Sequence, residues 1–311
     1  MKWSNKNVLI TGVGGFIGYN LAKRLLERNV NIIGIDNFSY NQKKQIEDII
    51  KEIDLIEADA TDFRPFMEIK EDIDYIFCFS SPSSIVLFNE NPEKCYSETV
   101  LGTRNIFEFG KKTAVEKIIL SSTGSVYGGN KKPHEESIYP KPRNLYGAAK
   151  IACESMASAY EPFIKSTVLR IFSGYGPGEE RKNRFASIIY LFINDVLMNK
   201  NPIIYGDGNQ ERDFIYIDDV IESVIRAAEI NFDGIVNIGT GKPTSFSQII
   251  EIIQKEVGKD IEPTYIPKPE NYVDSLVAET TLMKTLLKIR PLSIEKGVGK
   301  FIKYLQQKYP Y

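Results

Sequence analysis

The stretch TGVGGFIGYNLAKRLLE, residues 11–27, joins a short apolar run to an amphipathic helical pattern. Glycines spaced three apart at such a junction permit a tight turn, let the backbone approach a diphosphate and allow the helix to pack closely on the strand. The first N–H groups of the helix have no partner within the helix, so they can bind an anion. The stretch therefore predicts a dinucleotide-binding turn. The predicted contacts are Gly12, Gly15, Phe16, Ile17 and Gly18.

The second predicted strand ends at Asp36, 18 residues beyond Gly18. A carboxylate at this position accepts hydrogen bonds from a ribose 2′-hydroxyl and repels a 2′-phosphate, so the cofactor is predicted to be NAD rather than NADP. Asn37, which follows directly, is included in the predicted contact. Asp59 and Ala60, after the third predicted strand, are placed to reach the adenine, although Asp59 considered alone fits a helix cap equally well.

Short β-branched or aromatic runs alternate with amphipathic segments through the first 170 residues. The predicted strands are 8–10, 31–35, 54–58, 75–79, 117–121 and 166–172, and the predicted helices are 16–28, 40–52, 92–112, 145–160, 184–198 and 293–308. Such alternation, with strands apolar at successive positions, indicates a parallel sheet covered by helices on both faces. We therefore predict an α/β fold, a Rossmann-type doubly wound parallel sheet with a smaller C-terminal substrate-binding lobe. The NAD-binding domain is predicted to comprise 1–172 and about 213–238, and the lobe about 173–212 and 239–311.

The composition is that of an ordinary soluble globular protein, with 311 residues of which 42% are hydrophobic and 26% charged. A net charge of −2 predicts no nucleic-acid partner, and no apolar run approaches membrane-spanning length. The cysteines, Cys78, Cys95 and Cys153, are odd in number and widely spaced, which favours a reducing cytoplasm over a disulfide framework or a metal site. The single histidine, His134, lies in the polar stretch NKKPHEES and is predicted to occupy a surface loop rather than to act in catalysis.

A second candidate site lies in NLYGAAK, residues 144–150, where Tyr146 precedes Lys150 by one helical turn. The spacing alone decides nothing, because residues four apart on a helix are neighbours and a ring stacks readily on an aliphatic stem. The same spacing occurs in Tyr19/Lys23, Tyr40/Lys44 and Tyr304/Lys308. Tyr146 differs by the strand that precedes it, which ends in LSSTGSVYGG and places Thr123 at its carboxyl end, where ligands bind in open α/β sheets.

A hydroxyl at a strand end, followed by a tyrosine and a lysine one turn apart, can converge on a nicotinamide ring. The lysine ammonium and a positive nicotinamide both favour tyrosinate over tyrosine. Tyr146 is therefore predicted to act as the general base, and Thr123 to hydrogen-bond the same substrate hydroxyl. The predicted catalytic set is Thr123, Tyr146 and Lys150, of which Tyr146 and Lys150 also contact the cofactor.

Together these motifs resemble the extended short-chain dehydrogenase/reductase family, in particular its NAD-dependent nucleotide-sugar epimerases and dehydratases, such as UDP-glucose 4-epimerase-like members. The resemblance covers nearly the whole chain and includes TGVGGFIG, IDN, SSTGSVYG, YGAAK, GDGNQERDFIYIDDV (206–220) and VNIGTGKPTS (236–245). It implies that Arg212 grips the diphosphate of a nucleotide sugar, a task suited to a bidentate guanidinium; a structural salt bridge to a neighbouring acid is the alternative. It also implies cofactor contacts at Phe79, Ser80 and Ser81, and substrate contacts at Ser84, Thr123, Ser173, Arg184, Tyr205, Arg212 and Lys268.

The departures from the family pattern all lie on the substrate side. Ser173 in RIFSGYG and Thr99 in ETVLGT stand where the family commonly has asparagine. The family's R-P-G-D is KPEN at 268–271, and its H-L-A-A is CFSS at 78–81. Residues 80–94 look similar to the corresponding part of UDP-glucuronate decarboxylases. The sequence therefore determines the cofactor better than the sugar.

Members of the family begin alike, with hydride leaving C4 of the sugar while tyrosine takes the hydroxyl proton. Later elimination needs a carboxylate, which dehydratases place as Asp-Glu in S-T-D-E-V-Y-G and decarboxylases as Glu in T-S-E-V-Y-G. Here Gly124 and Ser125 occupy those positions. An epimerase needs no such acid, because a transient 4-keto intermediate only turns and receives the hydride back on its other face. We therefore predict C4 epimerisation of a nucleotide-diphosphate sugar, with a UDP-sugar favoured.

Two alternatives stay open. A dehydratase or decarboxylase of the same family would recruit an acid from elsewhere, and Glu135 and Glu136 are the first candidates. A non-catalytic NAD-binding regulatory protein would have no reason to retain the Thr–Tyr–Lys set.

The resemblance also implies a homodimer, because the family commonly dimerises through two helices per subunit, here about 92–112 and 145–160. The candidates for the outward faces of these helices are Ile106, Phe109, Ala152, Met156 and Tyr160. Burial within the monomer accounts for the same residues equally well.

Overall fold

The computed structural model describes residues 3–268 and 273–309. Its strands are β1 (Asn7–Thr11), β2 (Asn31–Asp36), β3 (Asp54–Glu57), β4 (Tyr75–Cys78), β5 (Lys117–Thr123), β6 (Ser166–Ile171), β7 (Ser173–Tyr175), β8 (Ile203–Tyr205), β9 (Glu211–Tyr216), β10 (Gly234–Ile238), β11 (Pro243–Ser245), β12 (Thr264–Ile266) and β13 (Ser275–Leu276). Its α-helices are α1 (Phe16–Leu26), α2 (Arg64–Met67), α3 (Ile85–Glu90), α4 (Pro92–Thr113), α5 (Leu145–Tyr160), α6 (Ile188–Leu197), α7 (Ile217–Glu229), α8 (Phe246–Val257) and α9 (Ile294–Lys308). None of the helices in these two ranges is long and apolar enough to cross a membrane.

Seven parallel strands form the central sheet, in the order β10-β6-β5-β4-β1-β2-β3. Successive residues of β1 alternate between two apolar cores, with Val8 and Ile10 in one and Leu9 in the other, so the sheet is buried on both faces. The chain order reverses between β1 and β4, and the carboxyl ends of these two strands therefore border the crevice where such sheets bind ligands. The predicted Rossmann-type fold is confirmed.

The smaller lobe has a sheet of its own, in which β9 lies between β11 and β13 and also pairs with β7. A separate two-stranded pairing joins β8 to β12. Helices α6 and α8 pack together, and α8 also packs against α9. The chain returns to the large sheet at β10, which pairs with β6, so each part of the fold draws on non-contiguous segments. The predicted domain boundaries stay a prediction.

The predicted helix over 40–52 is wrong. Only Lys43–Ile46 forms a short 3-10 segment, and single turns follow, with the N–H groups of Ile49 and Ile50 both donating to the Ile46 carbonyl oxygen. Ile46, Ile49 and Ile53 are buried, so three isoleucines anchor a succession of turns on the core. Their spacing imitates a helical pattern because tight turns also repeat about every three residues.

The other predicted elements are confirmed with shifts at their ends. The helix predicted to begin at residue 184 begins at Ile188 instead, because Glu179–Phe185 forms a 3-10 segment and Ser187 caps the helix by accepting from the N–H of Tyr190. The first predicted helix ends at Leu26, two residues early, where Asn29 takes a positive φ of 56°.

The structure corrects one expectation about exposure and decides, for two residues, an alternative that the sequence left open. His134 is 0% exposed rather than on a surface loop, because its ring packs beside Tyr127 and Phe172 and bonds to the backbone of Val277. Of the residues proposed for an outward helix face, Ile106 and Phe109 are buried in the core of the monomer. The remaining three, Ala152, Met156 and Tyr160, are half-buried.

Candidate active site

The glycine turn after β1 has the close packing that its spacing predicts. Gly12 takes a φ of +74°, and a Cβ at this position would lie 2.6 Å from the Phe79 carbonyl oxygen. A Cβ on Gly18 would lie 2.1 Å from the Gly12 carbonyl oxygen, so neither position tolerates a side chain. Gly15 stands at the N-cap of α1 and lines the cleft with Phe16, at the end of the helix whose first N–H groups have no partner within the helix. These features suit a diphosphate.

Asp36 ends β2 beside this turn and is 8% exposed. Its two carboxylate oxygens accept from the N–H of Gly14 at 2.9 Å and the N–H of Phe38 at 2.8 Å. Burial raises the pKa of the Asp36 carboxyl, and the two N–H donors act in the opposite direction. Because each carboxylate oxygen has a second lone pair, Asp36 can still accept from ribose hydroxyls in the cleft that it lines.

The predicted adenine side is built around the turn after β3. Asn37 Nδ2 donates to Asp59 Oδ2 at 3.0 Å, and Asp59 Oδ1 accepts from the N–H and hydroxyl of Thr61. Asp59 therefore caps its own turn, while the N-cap of α2 is Phe63. Asn105 on α4, which the sequence did not single out, holds this turn by donating to the carbonyl oxygens of residues 60 and 61.

The loop after β4 closes the crevice from the other side. The N–H of Phe79 donates to the Thr11 carbonyl oxygen at 3.0 Å, and Ser80 Oγ donates to Thr11 Oγ1. Ser81 Oγ lies 3.0 Å from Thr99 Oγ1. Thr99 is fully buried and donates to a carbonyl of its own helix, so it supports the loop from behind, where the family commonly has asparagine.

The predicted catalytic residues lie on β5 and on α5, two elements that pack against each other. Lys150 is 4% exposed, and its Nζ donates to the Ser121 carbonyl oxygen at 3.0 Å, which fixes α5 against the strand that ends in Thr123. Tyr146 lies one turn earlier, half-buried, with its ring centroid 5.5 Å from that of Phe88 on α3. Asn144 caps α5 by accepting from the N–H of residue 147. Their catalytic roles stay a prediction.

A buried ionic network under this corner was missed by sequence reasoning. Glu154, one turn beyond Lys150 on α5, accepts from Arg170 Nε at 3.0 Å and Nη2 at 2.7 Å. It also accepts from the hydroxyl of Ser122, the neighbour of Thr123. Arg170 Nη1 in turn donates to the hydroxyl of Tyr127 at 2.8 Å. Through these side chains the network links α5 to β5 and β6.

Arg212, predicted to bind the diphosphate, and Lys268, predicted to contact the substrate, both bond to Asp274. Arg212 Nη1 donates to the carbonyl oxygens of Glu211 at 2.8 Å and Asp274 at 3.3 Å, and Lys268 Nζ lies 2.6 Å from an Asp274 carboxylate oxygen. Tyr205, at the end of β8, is partly exposed. Residues 269–271 of the KPEN motif lie outside the described residues.

The remaining predicted substrate residues are scattered. Ser84 accepts from the N–H of Val86 as the N-cap of α3 and lines the cofactor cleft. Ser173 begins β7 and is half-buried. Arg184 has a 68% exposed side chain that pairs with Glu90 on α3 at 2.9 Å. Their roles stay a prediction.

Of the two positions where the family carries its acids, Gly124 is tightly packed. A Cβ at Gly124 would lie 2.9 Å from the Phe172 ring, so an acidic side chain does not fit there without moving that ring. Of the alternative acids, Glu135 is exposed, and the Glu136 carboxylate accepts from the N–H of Asn237 at 2.9 Å. Burial raises the pKa of Glu136. Within the described ranges, neither glutamate lines the cofactor cleft.

Comparison with known proteins gives a consistent result. The profile of the NAD dependent epimerase/dehydratase family matches residues 8–239. A putative UDP-glucose 4-epimerase of Methanocaldococcus jannaschii is 31% identical over 304 residues, covering 96% of this chain and 98% of its own. The crystal structure of a UDP-glucose 4-epimerase from Thermotoga maritima with UDP-glucose superposes with a TM-score of 0.92 at 29% identity, over 97% of this chain and 99% of that one.

A UDP-glucuronic acid 4-epimerase from Bacillus cereus, solved with UDP-glucuronic acid and NAD, superposes with a TM-score of 0.87 at 27% identity. The match covers 97% of this chain and all of the other. The family profile alone spans well over half of the chain and includes the glycine turn, Asp36, Tyr146 and Lys150. This chain is a member of the NAD-dependent epimerase/dehydratase family.

Proposed function

We propose that this protein epimerises a UDP-sugar at C4 through a transient 4-keto intermediate. The observation that carries the proposal is a site with an intact cofactor turn and Thr–Tyr–Lys set, in which Gly124 and Ser125 stand where the dehydratases and decarboxylases carry an acid. Relatives that match nearly the full length are named UDP-glucose and UDP-glucuronate 4-epimerases. The glycine turn, Asp36 and the helix N-terminus suit NAD, which supplies the hydride acceptor when bound.

Each residue of the set has a separate task in this reaction. Tyr146 takes the proton of the C4 hydroxyl and later returns one to the 4-keto oxygen. Lys150, held against β5 by the Ser121 carbonyl, places a positive charge one helical turn from Tyr146. Thr123 hydrogen-bonds the same hydroxyl and orients it. The proton therefore leaves and returns through one side chain, so the reaction needs no second acid–base group.

Two cations support the choice of a diphosphate substrate. Arg212 on β9 and Lys268 after β12 both reach Asp274, on the substrate side of the site. A guanidinium offers two parallel donors to phosphate oxygens, and the ammonium adds a point charge. We assign the UDP diphosphate to this pair.

The reaction type separates the proposed function from its alternatives. Incubation with a panel of UDP- and dTDP-sugars, followed by mass spectrometry and proton NMR, should give an isomer of unchanged mass with an inverted C4 coupling pattern. A product lighter by one water or one carbon dioxide would show a dehydratase or decarboxylase, for which Glu136 is the first acid to replace. Bound NAD that is never reduced by any nucleotide sugar would point to a regulatory protein.

We also propose that the protein acts as a cytoplasmic homodimer. Helices α4 and α5 pack side by side, and α4 presents Tyr96 and Leu101, both partly exposed, at the surface. Three free, buried cysteines are compatible with a reducing compartment. Light scattering after size exclusion should give twice the chain mass of 35.3 kDa, and Leu101→Glu should shift the protein towards the monomer. A wild-type protein that elutes as a monomer at micromolar concentration contradicts this assembly.

A further inference from the structure

The segment Glu179–Phe185 crosses from the smaller lobe to the cofactor cleft. Two of its residues, Arg181 and Lys182, line that cleft together with the glycine turn and Asp36. The segment is fixed on both sides. Glu180 beside Arg181 accepts from Lys308 on α9 at 2.8 Å, and Asn20 on α1 donates to the carbonyl oxygen of residue 177 at 3.1 Å.

The cations that line the cleft come from outside the predicted Rossmann domain. In the described part of the chain, the ionised groups that line the cleft are the carboxylates of Asp36, Asp59 and Glu98 and the cations Arg181 and Lys182. The glycine turn itself offers only N–H groups to the two negative charges of a dinucleotide diphosphate. The cations that balance this charge in the cleft therefore come from the segment Glu179–Phe185.

Both cations lie over the first turn of α1, where the diphosphate binds. The Arg181 guanidinium carbon is 3.6 Å from the centroid of the Tyr19 ring, and Lys182 Nζ is 5.3 Å from that of Phe16. Lys182 is partly neutralised by Glu179 at 3.5 Å. Arg181 has a different status. The positive charge of Arg181 contributes to lowering the pKa of Asp48. The Nη1 atom of Arg181, however, is buried and has no hydrogen-bond partner among the described residues.

A buried guanidinium N–H without a partner is unfavourable unless a ligand supplies the acceptor. We infer that Arg181 Nη1 donates to a diphosphate oxygen of the bound dinucleotide. A residue of the smaller lobe thereby completes the cofactor site, with Tyr19 as the platform that keeps the guanidinium flat over the end of α1. A guanidinium suits this place because it stacks on an aromatic face and still offers in-plane donors to phosphate.

Equilibrium binding of two probes to the full-length chain tests this contact. Arg181→Gln should raise the dissociation constant for ADP-ribose by about 10- to 100-fold, as expected for the loss of a charge-assisted hydrogen bond, and leave that for adenosine unchanged. The affinity of the variant for ADP-ribose should also depend less on salt, because one ionic contact is missing. Arg181→Lys should recover part of the ADP-ribose affinity.

The matched control is Arg226→Gln, which removes the same charge from α7, where Arg226 pairs with Glu222 and Glu229. This control should bind both probes as the wild type does. Unchanged ADP-ribose binding in Arg181→Gln would overturn the inference. An equal loss of ADP-ribose and adenosine binding would also overturn it, because such a loss reports a distorted cleft rather than a lost phosphate contact.

Discussion

Replacement of Tyr146 by phenylalanine should lower turnover of the UDP-sugar by about 10²- to 10⁴-fold while NAD stays bound. The substitution removes the one hydroxyl that takes the C4 proton. It keeps the ring that packs on Phe88 at 5.5 Å, so the local fold should persist. The measurement is kcat with the substrate found in the sugar panel, together with the amount of NAD released on denaturation.

The chain offers a matched control in Tyr304→Phe. Tyr304 precedes Lys308 by the same four residues, but its hydroxyl bonds to Lys308 on α9 and to Glu180 in the segment Glu179–Phe185, and the direct bond between Lys308 and Glu180 remains in the variant. Turnover in this variant should stay near the wild-type value. Near-wild-type turnover in the Tyr146→Phe variant would rule out Tyr146 as the base.

Replacement of Glu154 by alanine should lower the free energy of unfolding by about 3–5 kcal/mol. Arg170 is 2% exposed and gives two of its donors to the Glu154 carboxylate, so the substitution leaves a buried charge without its counter-ion. The hydroxyl of Ser122 loses its acceptor at the same time. Urea unfolding followed by circular dichroism measures the change.

A double variant separates the effect of the unpaired charge from the effect of lost packing. In Glu154→Leu/Arg170→Met both charges are absent and similar volumes fill the site, so the loss should be smaller than in the single variant. Equal losses in the single and double variants would mean that lost packing, rather than an unpaired charge, dominates. A loss below about 1 kcal/mol in Glu154→Ala would contradict the role given to the pair.

The features that sequence reasoning predicted correctly are those that depend on neighbours along the chain. Gly12 and Gly18, six positions apart, face each other, and Asp36 is the last residue of β2. Helix α5 begins at the residue predicted, because Asn144 and the N–H of Gly147 form its cap locally. In such cases the deciding contact lies within the motif itself.

The features that sequence reasoning missed depend on contacts between segments that are far apart in the chain. Arg170 and Glu154 are ordinary charged residues in sequence and become a buried pair only when β6 lies against α5. His134 sits in a polar stretch, but a backbone pairing with Ala278, 144 positions away, draws it inside. Arg181 reaches the cofactor cleft from the smaller lobe. Local polarity predicts exposure in each case, and tertiary packing overrides it.

The central claim is that hydride leaves C4 of a UDP-sugar and returns to the same carbon on the other face. A UDP-sugar carrying deuterium at C4, converted to equilibrium and analysed by mass spectrometry and proton NMR, tests it most directly. The proposed mechanism predicts an epimer of unchanged mass that keeps its deuterium at C4, with the configuration at that carbon inverted. Deuterium lost to solvent, moved to another carbon, or found in a product lighter by water or carbon dioxide would contradict C4 epimerisation.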